Sequence, residues 1–335
     1  MACALMVLCS FFRIAGMVVL VGIDEAGFGP ILGPLVVSSS TFSLPQHLLT
    51  TDLWQVLKKS VGDKRKHLAG RLLIADSKKV YSKSLGIRHL ERSVLACLRC
   101  LGEEPGTLAE LVELVCPNCL EQLSDYPWYK DAGDYCLSTD SADRAIASSV
   151  LADDLTSNDI ELLELKSYCL EVAHYNKMVS SVKNKANVLF TAASVLIKNS
   201  FDNFAGDDLQ IIIDRQGGRV RYRKALQLMF PDTELKIIRE SPDVSSYELE
   251  TKGKRMRLHF VVGADGHYLP VSLASMVSKY IRELLIGSMN RYFAGFHPGL
   301  RPTAGYWKDG LRFIEDLKTY IPHLQIDSNQ LIRCR

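Results

Sequence analysis

Two apolar runs in this chain each end in carboxylates at a glycine-containing turn, and this feature constrains the fold most. The first run ends at Ile23 and passes directly into Asp24 and Glu25, and the second, IIID, ends at Asp214. A charge at the end of a buried strand is costly unless it is paired or bound to a metal ion. The sequence therefore predicts buried strands whose ends carry acids, and several such acids at one sheet edge would form a site with oxygen ligands.

Predicted strands and helices alternate along most of the chain. We expect strands over 18–24, 33–43, 160–174 and 209–214 and near 235–239, 245–250 and 255–262, the last two forming a hairpin at a Lys-Gly turn. We expect helices over 46–60, 141–155, 184–201, 219–230, 271–293 and 308–318 and across much of 83–123. This alternation predicts an α/β fold, a mixed β-sheet flanked by helices, with a helical insertion and C-terminal helices.

A fourth acid, Asp265, follows the apolar run HFVVGA and precedes a predicted helix. If the four acids meet, their oxygens suit Mg²⁺ or Mn²⁺. Two such ions can hydrolyse a phosphodiester, because one activates water and the other stabilises the leaving oxygen. The alternative is that each acid only caps a turn or a helix. Spacing along the chain leaves both interpretations open.

Several segments in this order resemble motifs of the type 2 ribonuclease H (ribonuclease HII) family. GIDEAGFGPILGPLVV at 22–37 resembles the opening motif of the family, and IADSKK at 74–79 resembles its DSK motif. Segment 181–201 resembles the helix before the third acid, and IIIDRQGG at 211–218 the strand that carries it. GADGHYLPVSLASMVSKYIREL at 263–284 resembles the fourth-acid segment, and PTAGYWKDG at 302–310 a C-terminal Gly-Tyr motif. The resemblance covers 18–80 and 183–318.

The resemblance implies a ribonuclease H-like fold and a metal-dependent endoribonuclease. Such an enzyme cleaves the RNA strand of RNA–DNA hybrids, or ribonucleotides embedded in duplex DNA, and leaves a 3′-hydroxyl and a 5′-phosphate. Its cofactor would be Mg²⁺ or Mn²⁺, and its partner the hybrid or the ribonucleotide-containing DNA. By the same resemblance, the catalytic and metal-binding residues are Asp24, Glu25, Asp214 and Asp265.

The resemblance also implies substrate-binding residues. Tyr306 would stack on the deoxyribose beside the ribonucleotide, whose 2′-hydroxyl distinguishes RNA from DNA. The backbone of Gly27, Phe28 and Gly29 would approach the sugar-phosphate, and Ser77, Lys78 and Lys279 would contact phosphate or support the site. Solvated surface lysines and an ordinary aromatic side chain are the alternatives for Lys78, Lys279 and Tyr306.

Two positions depart from the motifs of the family. Phe28 stands where the family usually has Arg, which removes a forked donor for phosphate or the junction nucleotide. Glu283 replaces the usual Asp. Two alternative functions stay open: a catalytically weak nucleic-acid-binding module with the same fold, or a nuclease that acts on another structured nucleic acid.

Lys and Arg (40) nearly balance Asp and Glu (38), so only local patches could hold a polyanion. Basic residues cluster after Asp214 and again before Asp265, and we expect both clusters to flank the acids, although solvated faces would look the same. The first cluster is Arg215, Arg219, Arg221, Arg223 and Lys224, and the second is Lys252, Lys254, Arg255 and Arg257.

We predict one domain over 17–320, with 80–182 as an insertion or elaboration and 1–16 as an N-terminal extension. Met1–Ile23 is apolar apart from Arg13, so a signal peptide or an anchor is the alternative there. We favour a cytoplasmic monomer without a membrane partner, in which the nine cysteines are reduced. Cys97, Cys100, Cys116 and Cys119 have zinc-ribbon spacing, and buried thiols on helix faces are the alternative.

Overall fold

The structure is a computed structural model that describes residues 16–81, 86–137, 140–206 and 208–334. Within these residues, seven strands form one sheet in the order β5-β2-β1-β6-β9-β8-β7, and β3 pairs with β4 separately. The strands are β1 (Met17–Ala26), β2 (Leu35–Pro45), β3 (Val61–Gly62), β4 (Leu72–Leu73), β5 (Glu161–Leu170), β6 (Asp208–Asp214), β7 (Glu234–Glu240), β8 (Val244–Thr251) and β9 (Lys254–Val261).

The helices of the described residues lie on both faces of the sheet and within the insertion. They are α1 (Leu53–Val56), α2 (Ser77–Val80), α3 (Arg88–Cys100), α4 (Leu108–Val115), α5 (Pro117–Ser124), α6 (Ser141–Thr156), α7 (Val172–Val182), α8 (Lys185–Phe204), α9 (Arg223–Met229), α10 (Leu269–Phe296), α11 (Trp307–Tyr320) and α12 (Ser328–Leu331). Short 3₁₀ helices span Gln46–Thr50, Pro127–Tyr129 and Ala264–Gly266.

The three central strands, β1, β6 and β9, run parallel to one another, whereas the other neighbours in the sheet are antiparallel. Because parallel strands share one direction, the carboxyl ends of these three strands meet at the same edge of the sheet. The predicted α/β class, a mixed sheet flanked by helices, is confirmed, and so are its helical insertion and C-terminal helices.

Side chains alternate between two cores on opposite faces of β1, as expected for a strand buried on both sides. Val19, Val21 and Ile23 pack with α7, α8 and α9, whereas Val18 and Leu20 pack with α10 and the helices of the insertion. Gly22 lies on the α10 face, where a Cβ atom would stand 2.2 Å from the carbonyl carbon of Pro270. The absence of a side chain at Gly22 therefore lets α10 rest directly on β1.

One predicted helix, 46–60, is wrong. The chain instead forms a 3₁₀ helix and then α1, because Asp52 starts a new helix by accepting a hydrogen bond from the Trp54 backbone amide at 2.9 Å. Segment 80–182 contributes more than helices, since β5 pairs with β2 at the edge of the sheet.

The apolar N-terminal stretch is described only in part. Residues 17–23 form a buried strand, as we predicted, and not a membrane segment. Residues 1–15 of the predicted N-terminal extension lie outside the described residues. Among the helices of the described ranges, none combines the length and the apolarity needed to cross a bilayer.

Candidate active site

The site is built around two aspartates on adjacent parallel strands. The register of β1 and β6 pairs Ile23 with Ile213, so Asp24 and Asp214 occupy the next position on both strands. Neighbouring strands lie about 4.8 Å apart, and alternation turns both side chains to the face covered by α10. The sheet itself therefore brings two acids together that are far apart in the sequence.

The other two predicted acids join this pair from the ends of β1 and β9. Asp265 lies in the 3₁₀ turn after β9, and the preceding residue of that turn, Ala264, donates its backbone amide to Asp214 Oδ1 at 2.7 Å. Glu25 follows Asp24 directly, and its backbone amide donates to Asp24 Oδ1 at 2.7 Å. The turn and the strand end thus fix the four carboxylates at one edge.

The acids raise the pKa of one another because they are buried together. Burial, followed by the charges of Glu25 and Asp214, raises the pKa of Asp24 well above its ordinary value. Burial and then Asp214 raise the pKa of Glu25 to about 7. Burial, with Asp76 and Asp214, raises the pKa of Asp265 to about 6. Such repulsion is the expected property of a site that a cation completes.

The donor set fits a hard divalent cation, because every candidate ligand is a carboxylate oxygen. The site is open, however: among the residues that the structure describes, no three of these carboxylates bring oxygens within 4.8 Å of one another. A bound ion would therefore have to draw the side chains inward. Asp24, Glu25, Asp214 and Asp265 are the residues that would hold it.

Asp76 is a fifth acid of the site that the sequence analysis did not single out. Its side chain caps α2 by accepting the Lys78 backbone amide at 2.9 Å, and its proximity raises the pKa of Asp265. A cleft of about 300 Å³ is lined by Asp76, Asp265, Lys79 and neighbouring residues. Asp76 belongs to the DSK segment that resembles a family motif, but a helix-capping role explained this aspartate equally well.

Lys78 places a positive charge beside the acids of the site. Burial by itself would lower its pKa, but the carboxylates of Asp76 and Asp265, with smaller effects of Asp24 and Asp214, raise it above the ordinary value. Its side chain is nevertheless exposed. The predicted position of Lys78 beside the acids therefore agrees with its electrostatic environment.

Small hydroxyl side chains of α2 and α10 support the buried Asp24. The Ser275 hydroxyl lowers the pKa of the Asp24 carboxylate, and it donates to Ser77 Oγ at 3.0 Å. Ser278 donates its hydroxyl to the Asp24 backbone carbonyl at 3.0 Å. Ser77, predicted to contact phosphate or to support the site, is buried and lies within this supporting network.

The glycine loop between β1 and β2 packs against buried Arg282. Gly27 has a positive φ of +94°, and a Cβ there would meet Arg282 Nε at 2.6 Å and the Pro34 carbonyl oxygen at 2.5 Å. Internal packing therefore explains Gly27 without a ligand. At Gly29 a Cβ would meet nothing within 4 Å, so this residue faces open space. Phe28, between the two glycines, packs partly against the core.

Lys279 and Tyr306 occupy different environments near this loop. Lys279 is engaged internally, since its Nζ lies 2.6 Å from Glu283 Oε1 and 4.5 Å from the centroid of the Tyr81 ring. Tyr306 is 51% exposed, and the Arg282 guanidinium lies 5.8 Å from its ring centroid. Tyr306 therefore presents an aromatic face to solvent from a rigid support.

The two basic clusters do not both flank the acids. Arg221, Arg223 and Lys224 are exposed after β6, beyond Asp214. Arg215 is instead buried, and its guanidinium donates to the Ser241 carbonyl and the Ser245 hydroxyl, both at 2.9 Å.

The predicted position of the second basic cluster beside the acids is wrong. Because β9 runs parallel to β6, the hairpin before β9 lies at the opposite end of the sheet, roughly 20 Å from the acids at ~3.3 Å per residue. Its side chains are engaged there: Arg255 pairs with Asp208 at 3.2 Å, and Arg257 with Glu248 at 2.7 Å.

Comparisons with known proteins find similarity in structure at low sequence identity. No protein-family model and no curated protein matches the chain. The chain is similar to the RNase HII of Archaeoglobus fulgidus, solved in complex with PCNA, over 94% of both chains, with 15% identity and a TM-score of 0.45. It is similar to ribonuclease H2 of Pyrococcus horikoshii over 93% of this chain and 92% of that one, with 14% identity and a TM-score of 0.39. Bst-RNase HIII, solved with Mn²⁺, gives 14% identity, 89% and 62% coverage, and a TM-score of 0.41.

Proposed function

We propose that this protein is a metal-dependent endonuclease that cleaves the RNA strand of RNA–DNA hybrids. The observation that carries the proposal is the side-by-side placement of Asp24 and Asp214, with Glu25 and Asp265 close enough to Asp24 to raise its pKa. A module that only bound nucleic acid would gain nothing from carboxylates that repel one another and the phosphates. A hydrolase that binds divalent cations, in contrast, needs these carboxylates as metal ligands.

The chemistry follows from what each residue can do. Bound Mg²⁺ or Mn²⁺ would activate water and stabilise the leaving 3′-oxygen. Two backbone amides orient the carboxylates of Asp24 and Asp214, because Glu25 donates to the first and Ala264 to the second, both at 2.7 Å. Lys78 supplies a positive charge next to the acids, where it can partly neutralise them and attract a phosphate.

The substrate is inferred from the surroundings of the acids. Tyr306 offers an exposed ring on which a sugar or base can stack, and Gly29 leaves room for a backbone to approach. Arg221, Arg223 and Lys224 provide exposed cations beyond Asp214 for a phosphate backbone. Because Phe28 cannot donate hydrogen bonds through its side chain, we expect continuous hybrids to be better substrates than duplexes with one ribonucleotide.

Three labelled duplexes test the proposal: an RNA–DNA hybrid, a DNA duplex with one ribonucleotide, and plain DNA. Each is incubated with wild-type protein in Mg²⁺, in Mn²⁺ or in EDTA. Asp24→Asn and Asp214→Asn remove ligand charge, and Glu113→Gln is the matched control, because Glu113 is an exposed acid on α4. We expect metal-dependent cleavage of the hybrid with 3′-hydroxyl and 5′-phosphate ends, lost in both Asn variants and kept in the control.

The same assay separates the alternatives. Hybrid binding without cleavage in any metal would overturn the enzyme and favour the binding module. Cleavage of plain DNA alone would favour a nuclease with another substrate. Full activity in either Asn variant would remove the acids from the mechanism.

A further inference from the structure

Three cysteines and one glutamate meet inside the protein, away from the acids of the candidate active site. Cys116 and Cys119 lie at the start of α5, Cys169 lies in β5, and Glu171 follows β5 by one residue. The three cysteines are 0% exposed and Glu171 is 1% exposed. The structure thus buries three thiols and one carboxylate, which are common ligands of Zn²⁺.

The distances within this cluster match those of a small coordination shell. The ligand atoms of Cys119, Cys169 and Glu171 all lie within 4.8 Å of one another, and Cys169 Sγ lies 3.8 Å from Glu171 Oε1. Tetrahedral zinc with Zn–S of about 2.3 Å and Zn–O of about 2.1 Å separates sulfurs by about 3.8 Å and sulfur from oxygen by about 3.6 Å. Zinc therefore requires little movement of these atoms.

Cys116 is the candidate for the fourth position. Its thiol interacts electrostatically with the Cys119 thiol, but its Sγ lies outside the set of ligand atoms that are all within 4.8 Å of one another. It contacts Asn118 Oδ1 at 3.4 Å, so this thiol would have to turn toward the ion. Cys116 and Cys119 also have the two-residue spacing with which a chain turn presents two thiolates to one ion. Cys116 stands at the N-cap of α5, just before the proline that opens the helix, and is therefore one helical turn from Cys119.

The charge around the cluster is also compatible with a bound cation. Three thiolates and one carboxylate with Zn²⁺ carry a net charge of about −2. The buried guanidinium of Arg333 interacts electrostatically with Glu171 and Cys169, so a positive group already stands beside the cluster. Tyr129 donates its hydroxyl to Glu171 Oε2 at 3.2 Å and so orients the carboxylate from outside, as groups behind metal ligands do.

The ligands differ from those of a zinc ribbon. Cys97 and Cys100 lie on α3, and the Cys100 thiol contacts the Ser148 hydroxyl at 3.3 Å. Within the described ranges, the only group of three or more potential ligands with all atoms inside 4.8 Å is the one that contains Cys119, Cys169 and Glu171. The second cysteine pair therefore has partners on the edge of the sheet.

We propose that Cys116, Cys119, Cys169 and Glu171 form a structural zinc site that fastens the helical insertion to edge strand β5. Four protein ligands with no solvent exposure leave no open position for substrate, which is the property of a structural site. The ion would hold the start of α5 against the end of β5. This proposal does not depend on the nuclease activity.

Zinc content tests the proposal directly. The full chain is purified under reducing conditions with zinc in the medium, and bound metal is measured by mass spectrometry. We expect about one zinc ion per chain in the wild type and in Asp24→Asn, and a loss of it in Cys119→Ser and Cys169→Ser. Cys97→Ser is the matched control, because it changes another fully buried thiol outside the cluster.

Cobalt substitution provides a readout that does not rely on the variants being folded. Co²⁺ added to zinc-depleted wild-type protein should give a sulfur-to-cobalt charge-transfer band, which one equivalent of Zn²⁺ removes. A wild type that binds neither ion with thiolates would overturn the proposal, and so would a disulfide among the three cysteines. Zinc that survives in both Ser variants, or that is lost equally in Cys97→Ser, would also overturn it.

Discussion

Asp24 and Asp214 stand side by side at the carboxyl ends of adjacent parallel strands, one position beyond the Ile23–Ile213 pair. The separation of their Cα atoms is set by the spacing of the sheet, so side-chain rotation can adjust the distance between the carboxylates but cannot remove one from the neighbourhood of the other. The repulsion between them is therefore built into the fold and is relieved only by a proton or a cation. This relationship underlies the first three predictions.

Asp24→Asn should abolish cleavage and at the same time stabilise the metal-free protein. We expect activity to fall by at least ~10²-fold. Even the mutation of a residue that only hydrogen-bonds to a metal ligand lowers metal affinity or activity by about 10–100-fold. In EDTA the melting temperature should rise by roughly 1–4 °C, since a buried like charge is removed while the hydrogen-bond acceptor is kept. Calorimetry with Glu113→Gln as a control checks this, and a lower melting temperature for Asp24→Asn would contradict it.

Stability of the metal-free protein should fall as the pH rises from about 4.5 to 7. The pKa of Glu25 is raised from 4.5 to about 7 by burial and then by Asp214, so over this range the folded state keeps a proton that the unfolded chain releases. The expected slope is up to ~1.4 kcal/mol per pH unit for this group.

Urea unfolding in EDTA at several pH values measures that slope. Glu25→Gln should flatten it, and Glu113→Gln should leave it unchanged. A slope that is the same in Glu25→Gln as in the wild type would show that Glu25 does not titrate as described.

Added Mg²⁺ or Mn²⁺ should raise the melting temperature of the wild type at pH 8, which is above the raised pKa values of Glu25 (about 7) and Asp265 (about 6). An ion at 100 times its dissociation constant stabilises the folded state by about 2.7 kcal/mol. Asp214→Asn should lose most of this shift, because it lacks one ligand charge. Equal shifts in Asp214→Asn and in the wild type would place the ion elsewhere.

Gly27→Ala and Gly29→Ala should have opposite consequences for folding. At Gly27 the positive φ and the contacts with Arg282 and Pro34 predict a loss of at least ~2 kcal/mol in the free energy of unfolding. At Gly29 a methyl group enters open space, so stability should change by less than ~1 kcal/mol, while hybrid affinity falls if the duplex lies there. Chemical denaturation measures the effect on stability, and a binding titration measures the effect on hybrid affinity. Unchanged affinity in Gly29→Ala would show that the duplex does not lie against this loop.

Tyr306→Ala should weaken hybrid binding by about 10–100-fold, the value of one stacking contact of ~1–3 kcal/mol. Tyr306→Phe keeps the ring over Arg282 and should bind nearly as well as the wild type. Fluorescence anisotropy with a labelled hybrid measures both variants. Equal losses in the two would mean that the hydroxyl, and not the ring, makes the contact.

The sequence was sufficient to predict the seven strands of the sheet and the strand ends at which the four acids lie, because periodicity is local and each acid follows an apolar run. It did not identify Asp76, since the capping of α2 accounts for that residue without reference to Asp265. It placed the basic hairpin beside the acids because nearness along the chain was taken for nearness in space, whereas β9 carries the chain across the whole sheet. Cys169 and Glu171 were also missed as partners of Cys119, because only the packing of α5 on β5 brings them together.

Arg333 donates from its guanidinium to the backbone carbonyls of Gly27 and Gly33, and 306 positions separate it from Gly27. During synthesis the glycine loop therefore leaves the ribosome long before its anchor does. A nascent chain can form β1 and β2 early, but it cannot fix the loop beside the acids until Arg333 has emerged. If a duplex binds at this loop, competence to bind it would thus be acquired only after all seven strands of the sheet have been made.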